Sequence, residues 1–217
     1  MKNLRVPILL IVIILVIDQI IKIYVKTHFR IGDEFLVFGL DWFRIHFLEN
    51  KGMAFGMSFG GSIGKLILTF CRLVLAVFIF IYMKKISNNK DNKMIVYAFS
   101  LIFAGAVGNI IDSMFYGLMF SESTPFLIAE FSPQTHYAPF LCGKVVDMFY
   151  FPIIETTLPE WLPIVGGNDF RFFNAIFNFA DASITIGVCL LIISAFIKRR
   201  LTSKTTEDSP LVSEQNI

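Results

Sequence analysis

Two aspartates, Asp147 and Asp181, sit in apolar surroundings and could together activate water. Asp147 lies in Lys144-Val145-Val146-Asp147-Met148-Phe149, and Asp181 lies in Phe177-Asn178-Phe179-Ala180-Asp181. Two close carboxylates cannot both ionise cheaply, so one keeps a proton while the other acts as base. Such a pair can take a proton from water as it attacks a peptide carbonyl, then protonate the leaving amine. No spacing rule joins the two, because the 34 positions that separate them can loop in many ways. Helix capping and interfacial solvation are the alternative employment for the same residues. Three further polar pairs carry helical spacing: Asp18 with Lys22 at i+4, Asn109 with Asp112 at i+3, and Asn178 with Asp181 at i+3. Each pair shares one helix face. Other chemistries find little support. His28, His46 and His136 are scattered without metal-ligand spacing. Cys71 and Cys189 fall in apolar blocks and Cys142 has no sequence-local base, so none reads as a nucleophile. The glycines of Asn50-Lys51-Gly52-Met53-Ala54-Phe55-Gly56 permit tight turns but lack phosphate-loop spacing. No metal and no cofactor is expected.

The elements that must position these residues are apolar blocks over about 7–25, 63–83, 94–115 and 175–197. Each approaches the ~20 residues with which a helix crosses a hydrocarbon core. A bilayer offers no water to loose backbone groups, so helix is the expected form. The composition agrees: 55% of the residues are hydrophobic and only 17% charged, with a mean hydropathy of +0.68. This excludes a disordered chain and argues against a water-soluble domain. The net charge of +2 offers no bulk attraction for nucleic acid. The first block holds Asp18 and Lys22 and lacks a small-x-small cleavage site, so it reads as a retained span.

Basic residues orient the bundle. Lys2 and Arg5, then Lys84, Lys85, Lys90 and Lys93, then Lys198, Arg199, Arg200 and Lys204 fall on one side of four spans. That side is expected to be cytoplasmic, with both termini on it. Residues 1–200 read as one membrane-embedded domain and 201–217 as a disordered cytoplasmic tail. Extracytoplasmic stretches cover 26–62 and 116–174; the first alternates like a half-buried strand at Phe43-Arg44-Ile45-His46-Phe47-Leu48. The second is rich in proline and in aromatics suited to a membrane interface. At ~1.5 Å per residue, Asp18 lies roughly 16 Å from the inner end of its helix, about as deep as Arg72. Either these two face each other, or, as the commoner arrangement, each snorkels or finds a separate partner. Intramembrane ionisable groups also mark ion paths, so a small transporter is a competing reading, as is an inactive assembly factor. A transporter should show repeats and polar residues approaching from both sides, and neither is visible.

Five blocks, in order, resemble the lipoprotein signal peptidase (signal peptidase II) family. Asp18-Gln19 with Lys22 resembles its D-Q-x-x-K motif, and Asn50-Lys51-Gly52-Met53-Ala54-Phe55-Gly56 its N-x-G-x-A/S-F-G block. Gly105-Ala106-Val107-Gly108-Asn109-Ile110-Ile111-Asp112 resembles G-x-x-G-N-x-x-D-R. Val145-Val146-Asp147-Met148 resembles V-V-D-F/M, and Phe177-Asn178-Phe179-Ala180-Asp181 resembles F-N-x-A-D. The resemblance implies a bacterial inner-membrane aspartyl endopeptidase that cleaves diacylglyceryl prolipoproteins just before the lipidated cysteine. It implies four transmembrane helices, a small extracytoplasmic β-cradle supplied mostly by 26–62, and Asp147 and Asp181 as the catalytic dyad. Asn50, Gly52, Phe55, Asn109, Asp112, Asn178 and Ala180 would line the site, with Asp18 and Lys22 in support. Prolipoproteins and membrane lipids are the implied partners, and a monomer is expected.

Two departures stand out. Ser113 replaces the family arginine after G-N-x-x-D, and Lys51 and Arg171 are candidates to restore its charge. Asp147 follows Asp112 by 35 positions rather than a few, so 117–143 and 152–172 read as insertions. Such insertions could cover the active site, bind substrate or meet a partner; a solvated, variable loop is the slightly preferred reading.

Overall fold

The computed structural model describes residues 4–50, 61–89 and 92–207. Four long helices are apolar enough to cross a membrane: α1 (Arg5–His28), α2 (Gly61–Ile86), α3 (Lys93–Ile111) and α5 (Phe179–Glu207). Helix α3 runs on through a π-helical turn, Asp112–Tyr116, and a single α turn, α4 (Gly117–Met119). Spans α1, α2 and α5 each bury a narrow seam and leave the rest of their apolar surface outward, as a lipid solvent permits, whereas α3 is packed on most sides by the other three. In α1 the seam is Pro7, Ile11, Ile14, Asp18, Lys22, Val25 and Lys26, a run at helical spacing. The fourth span begins later than its hydropathy indicated. Residues Ile176–Phe177 form a strand, and the helix starts at Phe179, behind a cap built by Asn178.

A four-stranded antiparallel sheet covers one end of the bundle. Its order is β1 (Glu34–Leu36), β2 (Arg44–Asn50), β3 (Val145–Tyr150) and β6 (Ile176–Phe177). Among the described residues, 26–62 supplies only half of the cradle; the other strands come from the chain on either side of the second insertion. A separate hairpin, β4 (Ile154–Thr157) with β5 (Asp169–Phe172), forms most of that insertion and is exposed throughout its strands. Two apolar clusters divide the molecule. Leu4, Ile11, Ile14, Met83, Val96 and Ala104 fill the bundle away from the sheet. Val25, Phe47, Tyr116, Phe120, Val146 and Met148 seal the sheet onto the helix ends.

The first insertion is exposed over much of its length but is pinned by buried anchors. Ser121–Ser132 folds back with Phe120 and Ala129 buried and Ser123 only 2% exposed. Lys26 of α1 and Glu49 of β2 meet here as a buried ion pair, with Ser123 Oγ 2.9 Å from the Lys26 ammonium and 3.0 Å from Glu49. Lys144 reaches Glu49 at 3.1 Å, and the Tyr137 ring lies under both ammonium groups at 4.9 and 5.1 Å. The sequence conceals this packing because every partner except Tyr137 and Lys144 is remote along the chain.

Close approach of α3 to α5 and α1 depends on glycines, Gly105 and Gly108 among them. A Cβ at Gly105 would stand 2.2 Å from the Ala180 carbonyl oxygen, and one at Gly108 would stand 2.7 Å from an Asp18 carboxylate oxygen. Backbone cannot yield as a flexible side chain can, so Gly105→Ala is expected to destabilise by about 1–3 kcal/mol through overpacking. Thermal unfolding in detergent measures this; an unchanged midpoint would show that the interface has slack.

Candidate active site

Sheet register brings Asn50 to Asp147. Strand β2 runs against β3 with Leu48 opposite Asp147 and Asn50 opposite Val145. Side chains two apart share a face, so Asn50 is a diagonal neighbour of Asp147, and their side chains are hydrogen-bonded. Asp147 is buried, at 4% exposure. Burial, and then the negative charge of Asp181, push its carboxyl up to about 7 from an ordinary value of 3.8.

Helix α5 supplies the other aspartate from its first turn. Asn178 is the N-cap: its Oδ1 accepts the Asp181 N–H at 2.9 Å, while the Asp181 carboxylate accepts the Asn178 N–H at 3.3 Å. This reciprocal pair is a capping box. The capping alternative raised by the sequence is therefore realised, yet it does not remove Asp181 from the site. Its other oxygen accepts from Asn109 Nδ2 at 2.8 Å, and its side chain is partly open. Asn178 Nδ2 donates in turn to Asp147 Oδ1 at 2.6 Å and to Asn109 Oδ1 at 3.1 Å. Two asparagines thus join the two carboxylates, and the helix cap doubles as the clamp that places Asp181 beside Asp147.

Behind the aspartates lies a charged cluster. The Lys22 ammonium, fully buried, contacts Asp18 at 3.0 Å, Asp112 at 2.9 Å and Asn109 Oδ1 at 2.9 Å. All three of its protons are thereby engaged. Asp18 also accepts the Ala180 N–H at 2.9 Å, placing a negative charge at the start of α5. Asp112 accepts the Val146 N–H at 3.3 Å, which ties the π turn to the strand that carries Asp147. Such π turns often occur where a helix must re-aim a functional side chain.

Of the residues expected to line the site, Asn50, Asn109 and Asn178 touch the aspartates. Asp112 and Ala180 do not face an opening: both are fully buried, Asp112 as an anchor and Ala180 as the small residue against Gly105 and Gly108. Gly52, Phe55 and Lys51 lie outside the described residues. Asp18 and Arg72 do not pair, and each has its own surroundings. Asp18 is satisfied by Lys22 on its own helix, whereas Arg72 feels the charges of Asp181, Asp147 and Asp112. Arg171 is no substitute for the missing family arginine, because it pairs with Glu155 at 3.3 Å on the exposed hairpin. Ser113 itself is buried and neutral, its Oγ donating to the Asn109 carbonyl at 3.0 Å.

Sequence reasoning missed two contributors. Gln19 binds Asp18, Asp112, the Gly108 carbonyl and the Tyr116 hydroxyl. It was quoted within the D-Q-x-x-K block, so the signal was at hand. Lys26, which continues the spacing of Asp18 and Lys22 by another four residues, was also readable as part of the same seam. Among the described residues no cluster suits a metal ion. Among the described residues the ionisable network lies at the sheet end, and the opposite half of the bundle is filled mainly by an apolar cluster.

Four spans beneath a small antiparallel sheet, with two aspartates linked through asparagines, define an integral membrane protein with a carboxylate-pair site. Residues 10–197 match the family described as signal peptidase (SPase) II. A lipoprotein signal peptidase of Porphyromonas gingivalis is 44% identical over 209 residues, covering 92% of this chain and 90% of that one. One from Amoebophilus asiaticus is 32% identical, covering 82% of this chain and 72% of its own. A solved bacterial membrane enzyme superposes with a TM-score of 0.56 at 28% identity, covering 98% of this chain and 94% of that chain. The chain belongs to the signal peptidase II family, membrane aspartic peptidases whose role is to cleave signal peptides from prolipoproteins.

Proposed function

We propose that this chain cuts diacylglyceryl-modified prolipoproteins just before the lipidated cysteine, with Asp147 and Asp181 as its acid–base pair. The observation that carries this reading is the unequal burial of two aspartates held together by Asn109 and Asn178. Asp147, pushed up to about 7, holds the shared proton. Asp181, the more open of the two, is the base. It takes a proton from water as the water oxygen attacks the scissile carbonyl, and Asp147 protonates the carbonyl oxygen to give a gem-diol. Asp181 then passes its proton to the amide nitrogen, the C–N bond breaks, and the gem-diol returns a proton to Asp147. Metal and cofactor play no part in this sequence of steps.

Asn50, Asn109 and Asn178 hold the pair and meet the substrate backbone, with Gly52 and Phe55 beside them. Asp18, Lys22 and Asp112 support them from behind. The site end faces the extracytoplasmic side of the bacterial inner membrane and both termini are cytoplasmic. Lys84, Lys85, Lys198, Arg199 and Arg200 lie at the ends of spans remote from the sheet, as basic loops on the inner face do. Lipid covers the outward apolar faces of the helices, and the working unit is a monomer.

A synthetic diacylglyceryl prolipopeptide tests the reading with purified enzyme in detergent. Mass spectrometry is expected to show a product that starts at the lipidated cysteine, unaffected by chelators. Cleavage at another bond, or loss of activity on chelation, would overturn it. The pH profile carries a further expectation. Below about 7 Asp147 retains its proton; above it the acid is lost, so the rate falls on the alkaline side with a midpoint near that value. A rate that kept rising through pH 9 would contradict the assigned role.

A further inference from the structure

Helix α2 buries a single seam of Thr69, Ala76, Ile79 and Met83. Arg72 falls on that seam, three residues after Thr69 and four before Ala76, and is partly buried. Thr69 Oγ1 donates to the Leu141 carbonyl at 3.3 Å, and nearby Gly143 donates its N–H to the Ser113 carbonyl at 2.8 Å. The seam therefore looks toward the turn where α3 becomes π-helical, beside the aspartates rather than toward lipid. An arginine within a membrane span is costly and calls for a partner or a task. Among the described residues no carboxylate lies within 4 Å of Arg72, yet Asp181, Asp147 and Asp112 all act on its charge.

The local charge balance gives Arg72 its task. Among the described residues, the ionisable groups around the aspartate pair are Asp18 and Lys22 from α1, Asp112 from the π turn, Asp147 from β3, Asp181 from α5 and Arg72 from α2. Lys22 is engaged by Asp18 and Asp112, which together still leave one negative charge. A singly protonated pair adds another. When substrate covers the site and excludes water, this surplus of negative charge draws a second proton onto the pair and leaves no base. We propose that Arg72 is a positioning residue of the dyad, the cation that keeps one carboxylate ionised in the covered site. It supplies from α2 the positive charge that Ser113 cannot, and the inference rests on the acid–base pair proposed above.

Arg72→Met and Arg72→Lys test it. Removing a nearby cation makes carboxylate ionisation harder, so the whole kcat/KM profile of Arg72→Met is expected to move up by about one pH unit. At a fixed pH, activity then falls about tenfold on the acid limb and rises about tenfold on the alkaline limb. Arg72→Lys is expected to keep the wild-type midpoints. A functional cation in a span is retained against stability, so Arg72→Met is expected to melt no lower than wild type. A uniform loss of rate with unmoved midpoints, or a lower melting temperature for Arg72→Met, would show that Arg72 is structural and overturn the proposal. Wild-type enzyme that left the lipopeptide intact would instead defeat the functional reading itself, and this inference with it.

Discussion

Asp147→Asn and Asp181→Asn are each expected to lower cleavage of diacylglyceryl prolipopeptide by about 10⁴-fold, with the fold intact. General acid–base groups contribute about 10²–10⁴-fold, and here one water must lose and one amide must gain a proton through the same pair. Removing either member breaks the relay, so the double variant should be little worse than the single ones. The two substitutions differ in stability, which separates chemistry from folding. Above pH 7 the buried Asp147 must ionise in the folded chain against its surroundings, since it is pushed up to about 7. The folded state then binds more protons than the unfolded one between about 4 and 7, so this group lowers stability as pH rises through that window. Asparagine carries no such penalty, and Asp147→Asn should melt at least as high as wild type at pH 8. Asp181→Asn perturbs the capping box at Asn178 and should lose about 1 kcal/mol. Cleavage assays at matched protein concentration, with thermal melts of the same samples, measure both. Near-wild-type turnover by either variant would remove the acid–base assignment.

Lys22→Met should produce the largest loss of stability, about 3–5 kcal/mol. The ammonium is fully buried between Asp18 and Asp112 and also holds Asn109 Oδ1. Deleting it leaves two carboxylates buried side by side in a span with no counter-charge. For a domain of this size each kcal/mol lowers the melting point by roughly 2–4 °C, so a drop of about 10 °C is expected. Activity should fall as well, because Asn109 loses the partner that aims its amide at Asp181. The triple variant Lys22→Met/Asp18→Asn/Asp112→Asn removes the whole cluster and should recover most of the stability without the activity. A Lys22→Met melt within about a degree of wild type would mean that the cluster does not hold α1 to α3.

The spans were readable because bilayer thickness imposes a length and a composition on any helix that crosses it, whatever its neighbours. The polar pairs Asp18–Lys22 and Asn178–Asp181 were readable for a related reason: both members lie on one local segment. Their partners across the bundle were not. Helical period shows which residues share a face but not which other face they meet. Equal depth leaves a pairing of Asp18 with Arg72 open, but Lys22 one turn away already satisfies Asp18. The packing of the insertion at 117–143 was not readable for a similar reason: its buried anchor, Ser123, binds Lys26 and Glu49, both far away in sequence.

Taken alone, the sequence determined the membrane-spanning class, the order of the five motif blocks and the two aspartates worth testing. Those features rest on local composition and on residue identity at short spacing. Only the tertiary structure decided how Asp147 and Asp181 come together. Pairing of β2 with β3 brings Asn50 to Asp147, and Asn109 and Asn178 join the two aspartates. It also decided that Asp112 and Ala180 serve as anchor and packing surface, and that Arg72 lies on the buried seam of α2 rather than beside Asp18. Each of these depends on strand register or helix–helix contact, and such contacts join residues dozens of positions apart without leaving a local periodic trace.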